Sequence, residues 1–148
     1  MEITRRTDYA VRILVALAGR PEGEPLSSRE LGELQDVPPA FARSIVTELA
    51  GAGFVTSRRG AGGGVALARP AAQITLLEVV QAMEGGLNLN LCTHDDEYCD
   101  RAASCAMHEV WLEAEAILSR YLTRQDFASL AARGTQLGHR REGGEALV

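Results

Sequence analysis

The chain has 148 residues and a formal net charge of -5, long enough to bury roughly 68 to 70% of its unfolded surface around one core, with room for an appended helix. It holds no run of about 18 apolar residues, and Glu2, Arg5, Arg6 and Asp8 stand where a secretory leader needs its apolar stretch, which excludes membrane spans and predicts a cytoplasmic protein. Residues 1–70 carry nine Arg against eight acids, net +1, and residues 71–148 six Arg against twelve acids, net -6, so only the first half is suited to facing phosphates.

Along residues 4–19, Tyr9, Ala10, Ile13, Leu14 and Leu17 recur at helical spacing, with Arg5, Arg6 and Arg12 mostly off that stripe, and Arg20-Pro21-Glu22-Gly23 stops the helix. Ser27-Ser28-Arg29-Glu30 reads as a capping box that opens a short helix through Leu31 and Leu34 to Gln35. A turn at Asp36-Val37-Pro38-Pro39 leads to a third helix ending near Ala50, for which Phe41, Ile45, Val46 and Leu49 are the expected inward residues. Two short helices joined by a tight turn form a helix-turn-helix. The run Phe54–Arg59, the glycine-rich Gly60–Gly64 and Val65–Leu67 then predict strand, loop and strand, a hairpin of the kind called a wing.

Thr75-Leu76-Leu77-Glu78 is a second capping box, opening a helix to about Met83 that Gly85-Gly86 ends. After a loop over residues 87–104, Val110, Trp111, Ala114, Ile117, Leu118, Tyr121 and Leu122 repeat at three and four residues, a seam that calls for another helix against it. Thr123-Arg124-Gln125-Asp126 caps a short helix through Ala132, and Gly134 to Val148 reads as a disordered tail. The expected fold is mainly α with a small β-hairpin: a winged helix-turn-helix over 1–84, a cysteine-bearing loop over 85–106, a dimerisation helix and a final short helix over 107–133, and a tail over 134–148.

The second helix of a helix-turn-helix enters the major groove by its N-terminal part, which here offers Ala40, Arg43, Ser44 and Thr47. Arg43 is the candidate for reading a base, because Arg bidentate to guanine is the commonest specific contact; the competing use of Arg43 is a phosphate contact or an ion pair with Glu48 or Asp36. Arg58 and Arg59 stand where a wing meets the minor groove or backbone, and Gly60 and Gly62 let the chain approach phosphate closely. The glycine run is not a nucleotide-binding loop, since it lacks G-x-G-x-x-G and a strand follows it.

Cys92, Cys99 and Cys105 lie within fourteen residues, and an odd number of cysteines argues against a disulfide framework and for metal or redox chemistry. Three thiolates on one loop can reach one centre and leave a fourth position open. His108, three residues after Cys105, shares a helix face with it, whereas His94, Asp95, Asp96 and Glu97 read as solvated loop. Structural zinc is a competing use of three thiolates and an imidazole, although gaps of six and five residues depart from the usual zinc spacing; a reversible thiol/disulfide switch without metal is another. An enzyme using Cys105 as nucleophile and His108 as base has no orienting residue or oxyanion nest beside it, so no enzyme and no small-molecule substrate are expected.

The opening Met1-Glu2-Ile3-Thr4-Arg5-Arg6-Thr7-Asp8-Tyr9-Ala10-Val11-Arg12, the wing Ser57–Ala68 and the spacing Cys92-x6-Cys99-x5-Cys105-x2-His108-x2-Trp111 together resemble the Rrf2 family of transcription regulators, over roughly residues 1–133. Within it the chain is similar to the IscR, NsrR and RirA kinds. The resemblance implies a double-stranded DNA operator as partner, a homodimer through Trp111, Ala114, Leu118 and Tyr121, and an iron-sulfur cluster on Cys92, Cys99 and Cys105. It offers His108 or Asp8 as fourth ligand: the first suits [2Fe-2S], which is slightly favoured, and the second, reaching across the dimer, suits [4Fe-4S]. One departure stands out, since the first gap between cysteines holds six residues where the IscR-like pattern has five.

Overall fold

The structure, a computed structural model, describes residues 2–95 and 97–144. Among them the elements run α1 (Arg5–Ala18), α2 (Ser28–Leu34), α3 (Pro39–Gly51), β1 (Val55–Arg58), β2 (Gly64–Leu67), α4 (Leu76–Glu84), α5 (Ala106–Thr123) and α6 (Phe127–Gly144), with single 3-10 turns at Ala71–Gln73, Leu91–Thr93 and Ala102–Ser104. The fold is mainly helical with one two-stranded antiparallel hairpin, the winged helix-turn-helix that the sequence predicts.

Local chemistry sets each boundary. Thr4 caps α1 by accepting from the Thr7 amide, and both expected capping boxes form: Ser27 with Glu30 at α2, Thr75 with Glu78 at α4. Gly32 lets α2 and α3 close on each other, since a Cβ there would stand 2.9 Å from the Val37 carbonyl oxygen. The wing docks on the segment before α2 through paired bonds between Leu26 and Val65 (2.9 and 2.7 Å). Gly64, at φ 147°, makes this possible; a side chain would collide with the Leu26 carbonyl.

The core joins Ala10, Ile13, Leu14 and Leu17 of α1 to Ala42, Ile45, Val46 and Leu49 of α3, with Leu31, Val65, Val79 and Phe127 closing it. Phe127 is fully buried, which is how α6 is drawn back onto α1 after α5 departs. The start of α6 is tied to the start of α4 by Leu76 N–H to the Gln125 carbonyl (2.8 Å) and Phe127 N–H to the Ile74 carbonyl (3.0 Å).

Two expectations need correction. Phe41 is not inward but 50% exposed, because the buried stripe of α3 is Ala42–Ile45–Val46–Leu49 and Phe41 lies one position, about 100° of helix, away from it. The last helix does not stop at Ala132: α6 runs to Gly144, passing through Gly134 and Gly138, at about 1 kcal/mol each, among the helix formers Ala131, Ala132, Arg133, Gln136 and Leu137. Residues 145–148 of the expected tail lie outside the described residues.

Candidate nucleic-acid interface and cysteine loop

At the N-terminal half of α3, Pro38, Pro39, Ala40, Arg43, Ser44 and Thr47 are all exposed, directly above the buried stripe that fixes the helix. Pro39 sits at the first helical position, where its missing N–H costs nothing. Thr47 turns its hydroxyl back to the Arg43 carbonyl (3.0 Å). Among the described residues the Arg43 guanidinium forms no ion pair. Glu48, one of its expected competitors, is instead engaged by Arg6, whose Nε donates to Oε2 at 2.6 Å and whose Nη2 reaches Ser44 Oγ at 3.3 Å. Beside Arg43, an open groove lined by Ser28, Arg29, Gly32, Asp36 and Pro38 separates α2 from α3. Arg58, Arg59, Gly60 and Gly62 are exposed around the wing tip.

The N-terminal turn of α1 holds contacts that no local pattern announces. Glu84, the last residue of α4, accepts at Oε1 from the Thr4 amide (3.0 Å), the Thr4 hydroxyl (2.8 Å) and the Thr7 hydroxyl. Thr7 is fully buried, and its hydroxyl is the first cause that holds the Glu84 carboxyl below the usual carboxylate range. A Thr-x-x-Thr cap is legible in sequence; a partner some 80 residues away is not. Further along α1, Asp8 is paired with Arg12 (2.8 Å), Arg12 lies over the Tyr9 ring at 5.9 Å, and Tyr9 meets Phe41 edge-on at 6.3 Å, which is where the misplaced Phe41 finds its contact.

Beyond Glu84 the cysteine loop begins. Cys92 sits in the 3-10 turn Leu91–Thr93, Cys99 in irregular chain, and Cys105 at the N-cap of α5; all three are free and half-buried. His94, Asp95 and Glu97 are exposed as expected, and Asp96 lies outside the described residues. The turn bearing Cys92 is held to α5 by one carboxylate, Glu115, which accepts from Leu89 N–H at 2.7 Å and from the Thr93 hydroxyl at 2.6 Å. His108 Nδ1 is buried without a hydrogen-bond partner among the described residues.

In kind this donor set fits an iron-sulfur centre: three soft thiols on one loop and an imidazole nitrogen left unsatisfied. In position it is incomplete, because among the described residues no three His, Cys, Asp or Glu side chains stand together where one metal ion could hold them. Neither His108 nor Asp8 is brought onto all three thiols within the single chain, and Asp8 is occupied by Arg12.

On α5 no residue is fully buried. Met107, Val110, Ile117 and Tyr121 are each more than half exposed and follow one another along a single face. Of the residues expected at a subunit seam, Tyr121 is on this open face, while Trp111, Ala114 and Leu118 are half-buried.

The model of the Rrf2 family, described as iron-dependent transcriptional regulators, matches residues 3–133. The chain belongs to the Rrf2 family. It is thus a DNA-binding transcription regulator, which is what the exposed recognition helix and wing suit. Among solved structures, CymR, the global cysteine regulator of B. subtilis, aligns with a TM-score of 0.75 at 24% identity, covering 90% of this chain and 98% of that one. The T. potens IscR aligns at 0.72 and 22%, covering 90% and 88%, and the oxidized form of Staphylococcus aureus CymR at 0.68 and 23%, covering 88% and 96%. At such identities the likeness speaks for the shared fold. No helix among the described residues is long and apolar enough to cross a membrane.

Proposed function

We propose that this Rrf2 regulator is a cytoplasmic homodimer that reads its operator through Arg43 with Ala40, Ser44 and Thr47, and through Arg58, Arg59, Gly60 and Gly62 of the wing. Its affinity for DNA answers to iron, redox or nitric-oxide state through an iron-sulfur cluster held by Cys92, Cys99 and Cys105 with His108 or Asp8. The observation that carries the sensing half is three free, half-buried thiols on one loop beside an imidazole whose buried nitrogen lacks a partner. That nitrogen favours His108 as fourth ligand, and with it [2Fe-2S] over [4Fe-4S]. When bound, such a cluster supplies a centre that gains or loses electrons, and iron, at thiolate ligands.

The chain's own residues offer a route from loop to reading head. The loop is rooted at Glu84, Glu84 grips Thr4 and Thr7, and Arg6 between them grips Ser44 and Glu48 on α3. A change in the loop's arrangement that loosens this grip shifts α3 and alters DNA affinity, with a coupling on the order of 1–3 kcal/mol. Adjacency alone is not coupling; a double-mutant cycle between a loop cysteine and Thr7, read as DNA affinity, measures it.

The thiols that are not gathered in the single chain favour one second reading, a thiol/disulfide switch without metal, with structural zinc as its neighbour. Anaerobic purification followed by native mass spectrometry and iron and sulfide analysis separates them. The cluster reading expects a coloured dimer with iron and acid-labile sulfide. A colourless chain holding one zinc, or a metal-free chain that loses two thiols in air, overturns it.

A further inference from the structure

We propose that Glu115 is a positioning residue for Cys92, fixing the turn that carries this thiol to the face of α5 that presents His108. The inference rests on the reading above that Cys92 is a ligand.

Among its described residues, loop 85–105 contains no α-helix or strand, so the docking of its first thiol on α5 depends on a few side-chain ties. Glu115 bears two of them on one oxygen, and they bracket Cys92: Leu89 N–H (2.7 Å) lies three residues before it and the Thr93 hydroxyl (2.6 Å) one residue after. The Thr93 hydroxyl has a single hydrogen and two acceptors in reach, Glu115 and the Asn90 carbonyl at 2.7 Å. The ionised carboxylate is the stronger acceptor and takes it. Bonds inside the turn, Cys92 N–H to Asn90 Oδ1 (3.5 Å), Thr93 N–H to the Asn90 carbonyl (3.3 Å) and His94 and Asp95 N–H to the Leu91 carbonyl (3.4 and 3.2 Å), keep its shape, whereas the two bonds to Glu115 tie that shape to α5.

Helix geometry makes this anchor specific. Glu115 stands seven residues after His108 on an uninterrupted helix, so the two share one face about 10 Å apart along the axis. Both are half-buried on that face. The anchor therefore delivers Cys92 to the side of α5 whose first turn carries His108 and whose N-cap is Cys105. A carboxylate that orients a ligand without touching the bound centre is a recurrent second support of metal sites, and its loss typically weakens metal retention by about 10- to 100-fold.

The test uses the full chain with Glu115→Ala, Glu115→Gln and Thr93→Val. In metal-free protein, peptide mapping after timed alkylation reads Cys92 and Cys105 separately; in anaerobically purified protein, iron retention against a chelator and visible circular dichroism read the centre. Glu115→Ala is expected to speed alkylation at Cys92 while leaving Cys105 unchanged, to weaken iron retention by about 10- to 100-fold, and to alter the visible dichroism. Glu115→Gln keeps a carbonyl acceptor and is expected to recover part of each effect. Thr93→Val, which removes one donor without disturbing α5, is expected to reproduce the Cys92-specific change at smaller size and guards against a variant that merely unfolds. Equal change at both cysteines, or none at Cys92, overturns the proposal. If the unaltered protein holds neither iron nor sulfide, the cluster reading fails, and the alkylation arm still decides whether Glu115 places Cys92.

Discussion

The reading head and the cysteine loop are built on opposite plans. In α3 the stripe Ala42, Ile45, Val46 and Leu49 is buried to within 6% of complete, so the exposed Arg43, three residues from Val46, rides on a helix whose facing is set by the core. The loop and α5 have nothing comparable: α5 buries no residue fully, and its open face leaves Met107, Val110, Ile117 and Tyr121 more than half in solvent. Apolar side chains in such a row cost free energy until something covers them. The head is finished within one chain, whereas the face of α5 and the three thiols are left open by it; under the proposed function a second copy and an inorganic centre complete them.

The sharpest way to break this contrast is at the open face of α5. Ile117→Glu places a charge at the same point of both copies of a two-fold interface, so the loss counts twice, about 1.5–3 kcal/mol per buried side chain. The dimer is expected to weaken by at least about 100-fold, read as mass in solution by light scattering. An unchanged dimer would mean that the seam runs elsewhere on the molecule. Next in size, Ile45→Ala, at a fully buried site, is expected to lower unfolding free energy by about 2–5 kcal/mol. Cys92→Ser in metal-free protein should change it by less than about 0.5 kcal/mol, both from urea midpoints. Comparable losses would show that the loop already belongs to the cooperative core.

Much of the head is legible in sequence, because what fixes it is local. Ser27 with Glu30 and Thr75 with Glu78 announce helix starts at three-residue range, Pro39 marks the first turn of α3, and the glycines after Arg59 mark a hairpin. Phe41 goes wrong because a large apolar residue one step from a buried stripe looks inward by composition, while Ala42, small and unassertive, takes the inward place. The loop resists such reading for a different reason. Glu84 with Thr7 and Glu115 with Leu89 join residues 77 and 26 positions apart, and nothing in a neighbourhood of ten residues distinguishes those carboxylates from solvated ones. By type and number the cysteines point to metal or redox chemistry without choosing between them, and the chain alone does not gather them.

Within the head itself, the two classes of arginine should separate by how they fail. Arg43→Ala is expected to cost about 1–3 kcal/mol on the preferred duplex and to relax preference at one base pair, seen by selection from a randomised pool. Arg58→Ala should weaken all duplexes alike and reduce the slope of log affinity against log salt by about 1. If Arg43→Ala behaves as Arg58→Ala does, Arg43 holds phosphate and the base reading passes to another exposed residue of α3.

A modest effect lies at the junction between the two regions. Thr7→Val keeps the shape of a fully buried side chain and removes the hydroxyl that Glu84 accepts, which should cost about 1 kcal/mol at neutral pH. The sign of its pH dependence follows from the direction in which Glu84 is displaced. Its carboxyl is held below the ordinary value first by the Thr7 hydroxyl and then by the Thr4 amide and hydroxyl, so the unfolded chain takes up that proton more readily than the folded one. The stabilisation is therefore present above the unfolded value of about 4.3 and disappears as pH falls through the lower folded value. Solvent reaches Glu84 and screens the pair, which keeps the effect small. Urea midpoints of Thr7→Val and the unaltered chain should differ at pH 7 and draw together below about pH 4. A gap that stays constant across that range would assign Thr7 to packing alone and leave the loop without its hold on α1.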